Sequence, residues 1–218
     1  MLLLVRHGQA SFTSDDYDRL SGAGHDQARV LGRALAARGF APDVVVRGAM
    51  RRHRETADNV VVTAGWGCSV EEDAGWDEFD HVSTISGMPD FAFAPGESYE
   101  DRVRRADELI SRWASGDHDA DYHEDFPTFR DRVGGALQRT LDRIGPDGHG
   151  VVFTSGGPVA WVSASLLDGG VPLWGGLSGV VVNSSVTKVV VGRRRGPTLV
   201  TFNDHSHLEA TPSLLTYR

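Results

Sequence analysis

The chain has 218 residues, with 30 acidic side chains against 22 basic ones and a formal net charge of -8. That balance excludes a general nucleic-acid binder, which carries a basic face. Apolar residues make up 40% and charged residues 24%, the composition of a soluble globular protein with room for one large α/β domain. Cys68 is the single cysteine, so no intrachain disulfide forms and nothing suggests a secreted scaffold. The N-terminal apolar run breaks at Arg6, too early for a signal peptide or a membrane span. A cytoplasmic protein is expected. Its basic residues are nevertheless clustered, in "RGAMRRHR" (47–54) and "GRRRG" (192–196), which keeps an anionic small ligand open.

Leu2 to Val5 are continuously apolar, the pattern of a short strand buried on both faces. Beyond a polar loop, Ser21 suits the N-cap of a helix over 24–38. There Ala28, Leu31, Ala34 and Leu35 recur at helical spacing, and Gly39 is a natural stop. Residues 43–46 read as a second buried strand, 50–65 as a helix with Met50, Ala57, Val60 and Val61 inward, and 68–73 as a third strand. Helices are expected at 98–114 and 126–144, inside the least regular part of the chain. "GVVFTSGGPVAWVSASLL" (150–167) then repeats strand, glycine turn and helix. The remainder reads as strands at 179–182, 186–192 and 198–203, with "GRRRG" as a solvated turn between the last two. Alternating units of this kind predict a three-layer α/β/α fold around a mostly parallel sheet. Ligands bind such sheets at the carboxyl ends of the strands, where Arg6, His7 and the "TSGG" turn all fall.

A histidine at a strand end serves as nucleophile, general base, metal ligand or core residue. Arg6 beside it favours the first, because a neighbouring guanidinium keeps an imidazole neutral. The guanidinium fork also matches phosphate oxygens, and Gly8 would let the backbone approach a bound group. A phosphoryl group needs more than one cation. Arg47, Arg51, Arg52 and Arg54 are candidates at the start of a helix, where backbone N–H groups also favour anions. Periodicity does not say which of them turns inward.

"VRHGQ" (5–9), "LSGAGHDQARVLGRAL" (20–35) and "RxxxTA" at 52–57 together resemble the histidine phosphatase superfamily. This group includes cofactor-dependent phosphoglycerate mutases and acid and sugar-phosphate phosphatases. The resemblance implies a phosphoglycerate mutase-like fold over 1–218 as a single domain, with a variable, cap-like segment at about 80–145 that sets specificity. It implies His7 as the residue phosphorylated during turnover, with Arg6 and Arg52 as phosphate ligands. Glu78, in "GWDEFDH" (75–81), is the implied proton donor, with Asp77, Asp80 and His81 as neighbours left open.

The family's "SHGG" strand end reads "TSGG" here, so Ser155 stands where a second phosphate-contacting histidine is implied. Serine donates a hydrogen bond, and Gly156 and Gly157 offer backbone N–H groups, but none of them supplies a positive charge. An active phosphatase with a modified pocket and a weakened phosphate binder both follow from this departure. If the site is otherwise intact, Ser155→His is expected to raise turnover or phosphate affinity. Gln9, Ser11, Asn183 and His205 complete the candidate pocket. Asn183 and Ser184 resemble the family's "N-x-S-V" strand end, and His205 is a candidate replacement for the missing histidine. His205 and His207 would share a strand face, yet no Cys or carboxylate cluster accompanies them at ligand spacing. No metal or organic cofactor is expected. The expected partner is a small phosphorylated substrate, not nucleic acid or membrane, with a homodimer as one open assembly. A phosphatase is favoured over a mutase, because Thr13 stands where the mutases' "RHGES" motif continues to an asparagine.

Overall fold

The computed structural model describes residues 1–11, 18–79, 98–192 and 196–217. Its centre is β1 (Leu2–Arg6), whose apolar run is buried from Leu2 through Val5. Leu2 and Leu4 enter one core cluster, and Leu3 and Val5 enter another on the opposite face, as alternation along a strand between two layers requires. The other elements are α1 (Gly22–Ala37), β2 (Val44–Arg47), α2 (Arg51–Ala64), β3 (Val70–Glu72), α3 (Tyr99–Ser115), α4 (Phe126–Ile144), β4 (Gly150–Thr154), α5 (Gly156–Leu166), α6 (Gly170–Ser178), β5 (Val186–Gly192) and β6 (Gly196–Asp204). The described strands form one six-stranded sheet in the order β3-β2-β4-β1-β5-β6. The four strands from β3 to β1 are mutually parallel, β5 runs antiparallel to β1, and β6 antiparallel to β5.

Leu31 and Leu35 of α1 and Ala57 and Val60 of α2 cover one face of the sheet. The helix over 126–144, which lies within the segment expected to cap the site, buries Phe126, Phe129, Val133 and Ala136 in the core of the other face. Trp113, Phe126, Phe129 and Trp174 pack there with Phe79, whose ring lies 4.7 Å from that of Trp113. This aromatic cluster anchors the chain next to Glu78. The rest of the expected cap, 80–97, and the centre of the "GRRRG" turn, 193–195, lie outside the described residues.

Ser21 caps α1 as expected, accepting from the Gly24 amide at 3.1 Å. The expectation of a strand at 179–182 is overturned: these residues follow α6 as turn and extended chain without a ladder. The Asn203 side chain stands in for a strand neighbour. Its Oδ1 accepts from the Val182 amide at 2.8 Å, and its Nδ2 donates to the Val180 carbonyl at 2.8 Å. The sequence reading also missed α6, since "GVPLWGGLS" has three glycines and a proline, which lowers helix propensity. Burial of Trp174 holds it in place, with the indole N–H donating to the Gly157 carbonyl at 3.1 Å. His205 caps a 3-10 turn over Ser206–Leu208 and His207 lies within it, so the two are not on a strand face. Among the described residues no helix is long and apolar enough to cross a membrane, and no group of three His, Cys, Asp or Glu side chains is placed to hold a metal.

Burial lowers the pKa of His207 to about 4, outweighing the nearby Asp204 carboxylate. A histidine with a depressed folded pKa takes up its proton more readily when unfolded. Its stabilisation is therefore present above about pH 6.5 and is lost as pH falls towards the folded value. Denaturant unfolding across that window is expected to show a loss on the order of 2 kcal/mol that His207→Gln reduces.

Candidate active site

His7 follows β1, and its amide extends the parallel ladder by donating to the Thr154 carbonyl at 2.8 Å. The chain then passes over the start of α1. A Cβ on Gly8 would lie 2.4 Å from the Gly24 carbonyl oxygen, and one on Gly24 would lie 2.2 Å from that of Gln9. Gly8 is thus required by backbone packing on α1, a reason other than the approach of a bound group expected from sequence. The Gly8 amide donates to Thr56 Oγ1 at 3.0 Å, and that hydroxyl donates to the Arg52 carbonyl at 2.7 Å. The "RHG" and "RxxxTA" motifs are therefore joined through one hydroxyl.

His7 is 6% exposed. Its Nδ1 lies 2.6 Å from the Gly8 carbonyl oxygen. A carbonyl only accepts, so Nδ1 carries the proton and Nε2 presents the lone pair. Burial holds the His7 pKa well below the ordinary histidine value, with Arg52, Arg6 and His53 pushing the same way in that order. The neutral ring expected from Arg6 alone thus has burial as its main cause.

Of the four candidate arginines on or near α2, the structure brings in Arg52, which is 5% exposed. Arg47 pairs with Glu72 at 2.7 Å and Arg51 with Glu55 at 2.6 Å, while Arg54 is exposed. Arg52 Nη1 donates to Asp18 Oδ1 at 2.7 Å, and its buried Nε has no hydrogen-bond partner among the described residues. Arg6 is held differently. Its Nη1 donates to the carbonyls of Val181 and Tyr217, and its guanidinium packs by Gly156 at the start of α5.

Glu78 reaches the same helix start. The Gly157 amide donates to Glu78 Oε2 at 3.1 Å, and a Cβ on Gly157 would fall 2.1 Å from Oε1. Asp77 instead meets the chain before α2. Its Oδ1 accepts from the amides of Ala49 at 2.7 Å and Met50 at 3.3 Å, fastening the chain that leads into α2. Asp80, His81 and Thr13 lie outside the described residues.

Among the remaining candidates, Asn183 is buried and its Nδ2 donates to the His7 carbonyl at 3.2 Å. It acts on the backbone of His7, as does Ser184, whose amide donates to the carbonyls of Arg6 and His7. Gln9 turns to α1, accepting from the Ser21 hydroxyl at 2.8 Å. Ser11 is buried, with its amide donating to the Arg19 carbonyl. The expectation that His205 replaces the missing histidine is not supported. It follows β6, two strands from β1 in the sheet, and its Nδ1 donates to the Asn203 carbonyl at 2.7 Å.

The residue that sequence reasoning missed is His53. It is fully buried, its Nε2 lies 2.7 Å from Ser155 Oγ, and its ring centre is 5.7 Å from that of His7. A signal was available. His53 precedes the buried Ala57 and Val60 by one and two helical turns, so the apolar stripe of α2 already points it inward.

The family model described as "Histidine phosphatase superfamily (branch 1)" matches residues 2–205. A search of the curated proteins finds no relative of this chain. Among solved structures, it is similar to a phosphoglycerate mutase from Bacillus anthracis, with 19% identity, TM-score 0.66 and coverage of 95% of this chain and 94% of that one. It is also similar to a phosphoserine phosphatase mutant from Entamoeba histolytica in complex with phosphoserine, at 16% identity, TM-score 0.60 and coverage of 95% and 98%. A third neighbour is a mycobacterial glucosyl-3-phosphoglycerate phosphatase complexed with VO3, at 23% identity, TM-score 0.51 and coverage of 93% and 98%. These likenesses show the phosphoglycerate mutase-like α/β fold. With its family model spanning nearly the whole chain, the protein belongs to the histidine phosphatase superfamily.

Proposed function

We propose that this protein is a phosphatase that hydrolyses small phosphomonoesters through a phosphohistidine on His7. The observation that carries the reading is the state of that ring: buried, neutral, and fixed by the Gly8 carbonyl in the tautomer that leaves Nε2 able to attack. In the first step Nε2 bonds to phosphorus as the ester P–O bond breaks, and protonated Glu78 gives its proton to the departing oxygen. In the second, the Glu78 carboxylate takes a proton from water as the water oxygen attacks phosphorus. The N–P bond breaks and inorganic phosphate leaves. Arg6, Arg52 and the amides at the start of α5, Gly156 among them, balance the charge on the phosphoryl oxygens. The similar phosphoserine and glucosyl-3-phosphoglycerate phosphatases support a small phosphorylated substrate.

Turnover of p-nitrophenyl phosphate and a panel of phosphosugars, with His7→Ala as control, tests this function. Equal activity in the two proteins would remove the catalytic reading; phosphate binding without turnover would replace it with that of a binding protein. The position of Glu78 gives a separate prediction. Gly157→Ala would drive a methyl into the Glu78 carboxylate, the far end of a flexible side chain, and to 3.2 Å from Cδ1 of the packed Phe79 ring, so Glu78 swings away and the aromatic cluster must give slightly. Turnover is expected to fall by on the order of 10²-fold with the unfolding free energy lowered by only about 1–2 kcal/mol.

A further inference from the structure

The Ser155–His53 pair is not explained by packing or by helix capping. Ser155 is the N-cap of α5, a position where a serine hydroxyl ordinarily binds an amide of the first turn, yet its side chain makes no capping bond. Its Oγ is directed to His53 Nε2 instead, at 2.7 Å. His53 in turn is built into place. Its buried Nδ1 makes no well-formed hydrogen bond among the described residues, and the Asp77 carboxylate stands beside it with Oδ1 at 3.5 Å. A Cβ on Gly48 would meet that Nδ1 at 2.3 Å and Asp77 Oδ1 at 2.5 Å, so a glycine is needed for the pair to fit. The hydroxyl, the imidazole and the carboxylate form a row leading from the N-terminus of α5 past the His7 ring.

We propose that His53 is a positioning residue for the phosphoryl group, acting through Ser155. It takes the charge-supplying part for which the strand end itself has only a serine. With a proton on Nε2, His53 donates to Ser155 Oγ, and the Ser155 O–H is left to donate to a phosphoryl oxygen. A bound dianion favours the doubly protonated ring, which places a positive charge one hydrogen bond behind the serine. Burial opposes protonation of His53 most, and Arg52 opposes it too, while Asp77 and then Glu78 favour it; the neutral His7 ring lies 5.7 Å away, centre to centre. Without an anion, burial keeps it neutral. The proposal rests on the phosphatase reading for its effect on rate, but its binding arm stands apart from turnover.

The test compares wild type, His53→Gln, Ser155→Ala and the double variant, reading inorganic phosphate affinity by titration calorimetry and kcat separately. Glutamine at 53 keeps an N–H for Ser155 and fills similar space, so folding is retained while the charge is lost. Each single variant is expected to weaken phosphate binding by on the order of 10-fold to 100-fold, and the double variant to be no worse than the weaker single one. Phosphate affinity of wild type is expected to fall with rising pH beyond the change due to phosphate's own ionisation; that extra dependence disappears in His53→Gln. Unchanged phosphate affinity in His53→Gln, or effects that multiply in the double variant, would overturn the proposal. A wild type that binds phosphate as described but turns over no ester would overturn only the phosphatase reading.

Discussion

His7→Ala is expected to lower kcat/KM for any substrate of this protein by on the order of 10⁴-fold or more, because it removes the atom that bonds to phosphorus. The fold should tolerate the change. The His7 backbone, not its ring, carries the ladder bond to Thr154 and accepts from Asn183 and Ser184, and these survive in alanine. Steady-state kinetics alongside denaturant unfolding separates the two effects: activity lost, midpoint nearly kept. The wild-type pH profile belongs to the same prediction. Since burial and two guanidiniums hold the His7 pKa well below 6.5, the ring stays an unprotonated nucleophile as pH falls through the ordinary histidine range. No loss of kcat/KM due to His7 is expected there.

Arg52 is the second large effect, and it runs in opposite directions for rate and stability. Removing a preorganised cation from a buried site is expected to cost on the order of 10²–10³ in kcat/KM. The same guanidinium is buried, and among the described residues its Nε is unpartnered and its one ion pair is to the half-exposed Asp18. A buried charge satisfied this incompletely contributes little to stability, and an apolar side chain of similar length replaces it well. Arg52→Met is therefore expected to abolish most turnover while leaving the unfolding free energy unchanged or raising it by about 1 kcal/mol. Thermal melts and kinetics on the same preparation check both halves. A destabilised Arg52→Met with normal turnover would mean that Arg52 is a structural residue.

The His53 ring changes what is expected of Ser155→His. From the motif alone, restoring a histidine at 155 should strengthen the site. The space beside Ser155 is already filled by the His53 ring at hydrogen-bond distance, so a second imidazole there overpacks the core.

Much of the fold was legible because the elements that carry the site obey local rules. The apolar run of β1, the Ser21 cap and the glycine turn after β4 each depend on residues close in sequence. The errors share one cause, dependence on distant partners. The run at 179–182 is as apolar as a strand, but the Asn203 amide satisfies its backbone from β6. The helix at 170–178 has a composition that disfavours helices, and buried Trp174 holds it. The site divides the same way. His7, Arg6, Arg52 and Glu78 lie in motifs that can be read one at a time. His53 becomes visible only when α2 is laid against the end of β4, since its meaning comes from Ser155, 102 positions away.

The central claim is that phosphorus is bonded to His7 during turnover. Wild-type protein mixed briefly with p-nitrophenyl phosphate, quenched under alkaline conditions and digested, is examined by mass spectrometry for the site of a phosphoryl adduct. An acid-labile phosphoryl group is expected on the His7 peptide, absent from His7→Ala. An acid-stable adduct on Ser155, or full turnover with His7 never modified, would contradict it.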